Sequence, residues 1–441
     1  MRHPLQTLGK MGSKLSSAVV DQVGERTRRK IARRLLPFLC CLYLAAYLDR
    51  ANVAFAKLMM TADLHFSEAV YGFGAGIFFL GYLLLEIPGA LVVERWGARR
   101  WFARILISWG LCTIAVGFVR TAAQFYGARF LLGVAEAGFY PGIIVYLTHW
   151  FGRRDRGRAM AGFIVAIPVS LALGAPISAL ILRLRWFELP GWRWVFILEG
   201  LPAILLGIVT LFYLTDHPRD ATWLEPEERA WITKELEVEK AEKRSPGHIK
   251  LSRAFQDRSV LLCALSICLA NTGSYVFVFW LPSTIHKASG VSPVVSTLYS
   301  ALPLAVAVGF VLWSGRFSDR SGRPKLQTSI FMVLVALFLL LSVVPGQPFP
   351  LVMIWLCLAA GAIYAWPPSF WVLPTLILGE SARAASIGLI NMMAGMGGFL
   401  GPSLAGYLLA AGCSMLKTTA ILSSFVIVAA ILIAGVSEDH K

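Results

Sequence analysis

Tyr47-Leu48-Asp49-Arg50-Ala51-Asn52 sets an acid beside a base inside an apolar run that begins near Leu35. At 1.5 Å per residue, Arg50 lies about 20 Å into that run. A charge at such depth in a membrane helix is expensive; it faces a bundle interior or a water-filled cavity and marks a transport pathway. A guanidinium stays charged and offers a planar, two-pronged fork that matches a carboxylate. Arg50 is therefore the first choice for an anion ligand. A permanent structural pair with Asp49 is the alternative, but neighbouring helical positions point about 100° apart, which makes that pairing poor.

Two carboxyls accompany it at depth, Asp49 and Glu136. A carboxyl in a partly dry cavity can take up a proton, and its state then depends on which side the cavity faces. Both are proton-coupling candidates, with neutralisation of a nearby arginine as the structural reading for Asp49. Arg129 precedes Glu136 by two helical turns on one face; substrate contact and snorkelling to the interface are both open for it. Tyr47, one turn before Arg50, can line the same cavity, and Asn52 reads as a packing or network residue. Glu86, followed by Ile87-Pro88, reads as a structural or gating acid. In the second half the polar groups at depth are neutral: Asn271, Ser274, Tyr275, Ser369 and Asn391. A dicarboxylate would rest one end on Arg50 and the other on these donors or on Arg129. Trp280, Trp366, Phe370 and Trp371 give that half an aromatic wall suited to an aromatic acid or to plain packing.

The elements that hold these residues follow from composition. The chain of 441 residues is 57% hydrophobic and only 15% charged, where a soluble protein has about a quarter charged. Its apolar runs reach about 18 to 28 residues without the two-residue alternation of a membrane barrel, so they are helices. The expected fold is all-α, a polytopic membrane protein with twelve spans: 35–56, 71–93, 101–121, 125–149, 158–182, 194–214, 259–282, 293–315, 326–344, 350–378, 382–409 and 416–435. The tenth contains Pro367, Pro368 and Pro374, which can bend or break it. The domain plan is an N-terminal segment 1–34, a six-helix bundle 35–214, a linker 215–258, a second bundle 259–435 and a tail 436–441. The linker stretch "LEPEERAWITKELEVEKAEKR" has the mixed charge of an exposed helix.

Net charge is +16, yet its distribution argues for a membrane and against nucleic acid. Of the 41 lysines and arginines, counting those at span ends with the adjoining loop, 32 fall on one set of loops, 7 on the other, and only Arg50 and Arg129 remain deep within spans. That bias puts both termini and the linker in the cytoplasm. The seven cysteines lie in or beside apolar segments without metal-ligand spacing and read as small buried hydrophobes. No short apolar core with a cleavage site stands at the N-terminus, so the first run reads as a retained helix. No glycine-rich phosphate loop, nucleophile–base pair or metal-ligand set stands out. Neither an enzyme nor a cofactor is expected, and no obligatory protein partner.

An internal repeat supports two related bundles. "GALVVERWGARR" lies between spans 2 and 3, "GRFSDRSGRPK" between spans 8 and 9. Each joins an acid–arginine pair to a glycine and further basic residues at the matching place in its half. Glu94, Arg95 and Arg99, then Asp319, Arg320 and Arg323, are thus gating candidates that can pair when their face closes, as an alternating-access machine requires.

The duplicated loop resembles the signature of the major facilitator superfamily. Within it the chain resembles the anion:cation symporter family of bacterial tartrate, phthalate, hydroxyphenylacetate and sugar-acid permeases. The matching stretches are "RRLLPFLCCLYLAAYLDRANVAFA", "RFLLGVAEAGFYPG", "GWRWVFILEGLPA" and "FWLPSTI". The resemblance implies proton-coupled import of a small carboxylate across a bacterial inner membrane. It further implies anion binding at Arg50, proton handling at Asp49 and Glu136, an arginine at 129 tied to coupling or access, a carboxylate-proximal Tyr82, and a polar substrate contact near Asn391. "FIVAIPVSLALGAP" in span 5 carries no amide or charge, a departure from some sugar-acid members that favours a smaller or more apolar anion. An exchanger or exporter of the same fold, and a non-transporting membrane sensor, are the alternatives.

Overall fold

In lipid every backbone polar group must be satisfied within its own segment, and this chain answers with helices; among the described residues there is no strand. The computed structural model describes residues 4–242, 257–377 and 380–436. The helices are α1 (Pro4–Leu64), α2 (Glu68–Trp96), α3 (Ala98–Val116), α4 (Ala122–Glu136), α5 (Phe139–Trp150), α6 (Arg153–Ile181), α7 (Gly191–Tyr213), α8 (Pro226–Glu242), α9 (Arg258–Ser289), α10 (Pro293–Tyr299), α11 (Ala301–Ser321), α12 (Pro324–Ser342), α13 (Phe349–Ile377), α14 (Glu380–Ala410) and α15 (Met415–Ala434). Among the described residues ten helical stretches are long and apolar enough to cross a membrane. Helix α3, which opens on Arg99, Arg100 and Arg104, and α6 complete a twelve-span, two-bundle arrangement.

Helix starts follow side-chain capping. Ser67 accepts from the Val70 N–H at 3.2 Å and Thr121 from the Gln124 N–H at 3.3 Å, satisfying donors that a first turn leaves free. Both repeat loops end their helices on a glycine at positive φ: Gly97 closes α2 at φ 81°, ψ 148°, and Gly322 closes α11 at φ 60°, ψ 15°. A side chain would be strained at either, but only Gly322 is left-handed helical, so the duplicated glycines close different turns.

Several boundaries differ from the sequence expectation. Span 1 was expected at 35–56, but α1 is one helix from Pro4 to Leu64, carrying the basic segment before it in the same rod. Span 4 is split after Glu136, where Ala137 is non-helical and Gly138 left-handed. Span 8 is split at Ser300. Helix α13, by contrast, continues through Pro367, Pro368 and Pro374. A proline removes the backbone bond to the carbonyl four residues back, here those of Ile363, Tyr364 and Phe370; Ser314 Oγ of α11 donates to the nearby Ala365 O and ties the two helices.

The halves meet through α2 with α14, α6 with α11, and α1 with α9. Helix α8 packs on the N-terminal part of α1. The side bearing α8 and the described ends of the chain is called the linker face below.

Candidate functional site

The α2–α4 interface builds the site. A Cβ on Gly133 would stand 2.0 Å from Phe78 O, and one on Gly138 would stand 2.7 Å from the Gly89 Cα. The two glycines of the Gly133–Glu136–Gly138 motif therefore let α4 close against α2. Glu136 becomes the last residue of α4, at the helix break and 1% exposed.

Arg50 projects from α1 into that corner. Its Nη2 donates to Glu136 Oε1, and its guanidinium carbon lies 4.9 Å from the Tyr47 ring, 5.3 Å from Phe78 and 5.3 Å from Tyr82. Aromatic faces attract a desolvated cation, so the three rings hold the fork in place. The Arg50 side chain keeps 16% of its surface exposed, whereas Glu136 keeps 1%. Arg50 Nε and Glu136 Oε2 are buried without a hydrogen-bond partner.

A second arginine and a second acid lie in the same corner. Arg129 is fully buried rather than snorkelling, donates from Nε to Gly74 O at 3.4 Å, and has its guanidinium carbon 5.0 Å from the Phe78 ring that Arg50 also approaches. Its Nη1 and Nη2 have no hydrogen-bond partner. Asp49, 1% exposed, accepts from Asn52 Nδ2 at 2.9 Å, while its Oδ2 has none. Asp49 and Arg50 thus point to different partners, as their helical offset requires. Asp49, Glu136, Arg50 and Arg129 share one buried region and their formal charges cancel, with Glu86 and Glu199 as further acids at its margins.

Toward the linker face, Asn391 Nδ2 of α14 donates to Glu86 Oε1 of α2, so the two halves touch through residues read separately in the sequence. Asn271 Nδ2 is spent on Ala394 O at 3.0 Å. Tyr275 packs its ring 4.8 Å from Phe79. Ser369 is fully buried and its Oγ has no partner; Ser274 is buried likewise. Trp366, Phe370 and Trp371 stack edge to face within the second-half core. In span 5, Ser170 Oγ donates to Leu44 O at 2.6 Å and is spent on backbone.

The gating candidates lie apart from this centre. Glu94 is exposed with its Oε1 3.6 Å from His149 Nε2, Arg95 is exposed, and the Arg99 backbone N–H donates to Asp216 Oδ1 at 2.8 Å. Arg320 and Arg323 are exposed; the Asp319 side chain lies outside the described residues. Among the described residues no ion pair joins the two repeat loops, and no group of three or more His, Cys, Asp or Glu is placed to hold a metal ion.

Sequence reasoning missed a cluster on the opposite face. Lys57, counted there as a loop cation, is 1% exposed and pairs with Glu68 Oε2 at 2.9 Å. Trp280 Nε1 of α9 donates to the same oxygen at 2.9 Å, and Lys57 Nζ lies 4.4 Å from the Trp280 ring and 4.8 Å from Tyr71. Tyr71 OH donates to Phe279 O at 3.0 Å. This cluster locks α1 and α2 to α9. Its only sequence signal was a lysine closing an apolar run eleven residues before a glutamate. Glu199, 4% exposed and accepting from Ser178 Oγ at 2.5 Å, was missed as well.

The comparisons agree with this architecture. A putative tartrate transporter of Agrobacterium vitis is 42% identical over 385 residues, covering 87% of this chain and 88% of that one. A quinolone resistance transporter of Acinetobacter baumannii is 37% identical over 375 residues, covering 85% and 86%. The crystal structure of a bacterial homolog of the human lysosomal transporter Spinster superposes with a TM-score of 0.74 at 17% identity, covering 91% and 95%; at that identity the likeness speaks for the fold. The Major Facilitator Superfamily family model matches residues 39–402. A multi-pass, non-enzymatic transport protein, the chain belongs to the major facilitator superfamily.

Proposed function

We propose that this chain imports a small organic anion, a carboxylate of the tartrate-like kind, together with a proton by alternating access. One observation carries the reading: Arg50, the partly exposed cation of the site, is held by the buried carboxylate of Glu136. With Asp49, Glu136, Arg50 and Arg129 formally neutral together, a bound carboxylate leaves one uncompensated negative charge in a low-dielectric region. That is costly unless a proton arrives as well. Protonation of Glu136 supplies the compensation and frees the Arg50 fork for the substrate. Asp49, next to Arg129, is the second carboxyl able to share the proton.

The Lys57–Glu68–Trp280 lock closes one face in this state, and the Glu86–Asn391 contact spans the halves nearer the other. The halves, 35–214 and 259–435, rock about the site through the linker 215–258. The charge bias of the loops puts the linker face in the cytoplasm, so the locked face is external, and the membrane is the bacterial inner membrane. Tyr47, Tyr82, Tyr275 and Asn391 line the substrate's path; Asn271, Ser369 and Arg129 support it from behind. The gating residues Glu86, Glu94, Arg95, Arg99, Asp319, Arg320 and Arg323 belong to the cytoplasmic side. The engaged Ser170 in span 5 fits an anion with few hydroxyls.

The test is uptake into liposomes of tartrate, phthalate, hydroxyphenylacetate and galactonate, with and without an inward proton gradient. Gradient-driven accumulation of at least one acid is expected, and Glu136→Gln keeps exchange while losing accumulation. If wild-type uptake ignores the gradient, symport fails. If Arg50→Ala binds the acid normally, the anion site lies elsewhere. Outward movement of a substrate driven by an inward proton gradient favours the exporter reading instead.

A further inference from the structure

The N-terminal part of α1 carries Arg26, Arg28, Arg29, Lys30, Arg33 and Arg34. The chain neutralises three of them. Arg26 pairs with Glu225 at 2.7 Å and Glu228 at 3.1 Å, Arg28 with Glu235 at 2.7 Å and Asp155 at 3.2 Å, and Lys30 with Glu228 at 2.8 Å. The other three are treated differently. Arg29 has only the exposed Glu25 one turn back, at 3.2 Å, a contact worth little in water. Arg33 is exposed and makes no ion pair among the described residues. Arg34 has its guanidinium carbon 4.8 Å from the Tyr213 ring and 4.9 Å from Trp223, with Nε buried and lacking a hydrogen-bond partner.

Arg29, Arg33 and Arg34 line one open groove of about 730 Å³, together with Arg26, Lys30 and Glu25, where α1 meets the end of α7. Its surroundings change character toward the membrane. The exposed stripe of α1 runs Arg29, Arg33, Pro37, Cys41, from cations to apolar residues at one-turn intervals. Beside it α7 ends on exposed Phe212, Val209, Ile208 and Leu205. A guanidinium fixed between two aromatic rings presents its remaining donors in a set plane, which suits a phosphodiester. An apolar surface continuous with the cations suits acyl chains.

We infer that this groove binds the headgroup of an anionic phospholipid in the leaflet on the linker face. The phosphodiester sits on Arg33 and Arg34, and the acyl chains lie along the outer surfaces of α1 and α7. Basic pockets at helix ends near a membrane surface hold such headgroups, each cation contributing roughly 1 kcal/mol. The lipid supplies Arg33 and Arg34 with the counter-charge that the chain's own acids give Arg26, Arg28 and Lys30, and it anchors the helix bearing Arg50 to the bilayer.

The experiment titrates the purified full chain in neutral detergent with phosphatidylglycerol or phosphatidylcholine and counts bound lipid by native mass spectrometry. Phosphatidylglycerol binds at least about tenfold tighter, and Arg33→Gln with Arg34→Gln weakens it about 30-fold, from two cations at one tenfold step per 1.4 kcal/mol. Arg183→Gln with Arg185→Gln, exposed cations elsewhere, leaves it unchanged. Should the double variant fail to fold, Arg33→Gln alone, which breaks no ion pair, weakens binding about fivefold. Equal binding of the two lipids, equal loss in the control pair, or displacement of the lipid by millimolar inorganic phosphate each overturns the inference.

Discussion

Replacing Trp280 by phenylalanine is expected to open the face opposite the linker. The indole N–H donates to Glu68 Oε2 at 2.9 Å and is the side-chain hydrogen bond that ties Lys57 and Glu68, both in the first half, to α9. Phenylalanine keeps an aromatic face near Tyr71, whose ring centroid stands 5.2 Å away, and removes the donor. A hydrogen bond to a charged group contributes about 1.5–3 kcal/mol. Glu68 is 36% exposed and regains water when the donor leaves, which selects the lower end. A loss of about 1.5 kcal/mol lowers the closed-to-open ratio roughly tenfold. The readout is the distance distribution between spin labels at Ala62→Cys and Ala288→Cys, both exposed on that face, after replacement of the seven native cysteines. Trp355→Phe is the control, because its indole N–H donates to Gln347 Oε1 at 3.0 Å within one half. An unchanged distribution in Trp280→Phe, or an equal shift in Trp355→Phe, refutes the lock.

Arg50→Lys keeps the charge and loses the fork, so substrate affinity measured by calorimetry falls about tenfold to a hundredfold, the loss of one charged hydrogen bond. Gly138→Ala strains a left-handed position at φ 82° and drives a Cβ to 2.7 Å from the Gly89 Cα; thermal unfolding in detergent shows a loss of about 1–3 kcal/mol. Glu228 lies outside the membrane spans. Burial alone would raise its carboxyl, but the Lys30 hydrogen bond, the Glu225 backbone N–H and the charges of Lys30 and Arg26 together hold it below the usual glutamate range. A depressed carboxyl stabilises the fold at pH above its unfolded value and loses that contribution as pH falls through the folded one. Hydrogen exchange of α8 is therefore expected to rise on acidification below about pH 4, and Glu228→Gln should exchange fast already at neutral pH.

The membrane made much of this fold legible. A helix that must satisfy its own backbone in lipid needs a long apolar run, so the spans and the cost of burying Asp49, Arg50, Arg129 and Glu136 could be read directly. Which charge meets which could not. Arg50 and Glu136 are 86 residues apart, and their meeting depends on a close α2–α4 approach set by Gly133 and Gly138. Spacing offered those glycines as a motif without saying what they approach. Proline likewise misled as a break signal: three prolines left α13 helical, while span 4 broke at a proline-free Ala137–Gly138 step. Lys57 falls among the seven cations counted on the loops opposite the linker, where a lysine closing an apolar run usually reaches water. Its burial needs Trp280 from the other half. A residue whose environment is supplied by the other half leaves no periodic trace in the chain. The charge sum is different in kind: Asp49 and Glu136 against Arg50 and Arg129 can be counted from the sequence alone, and that balance is why the proposed symport asks for a proton with the anion.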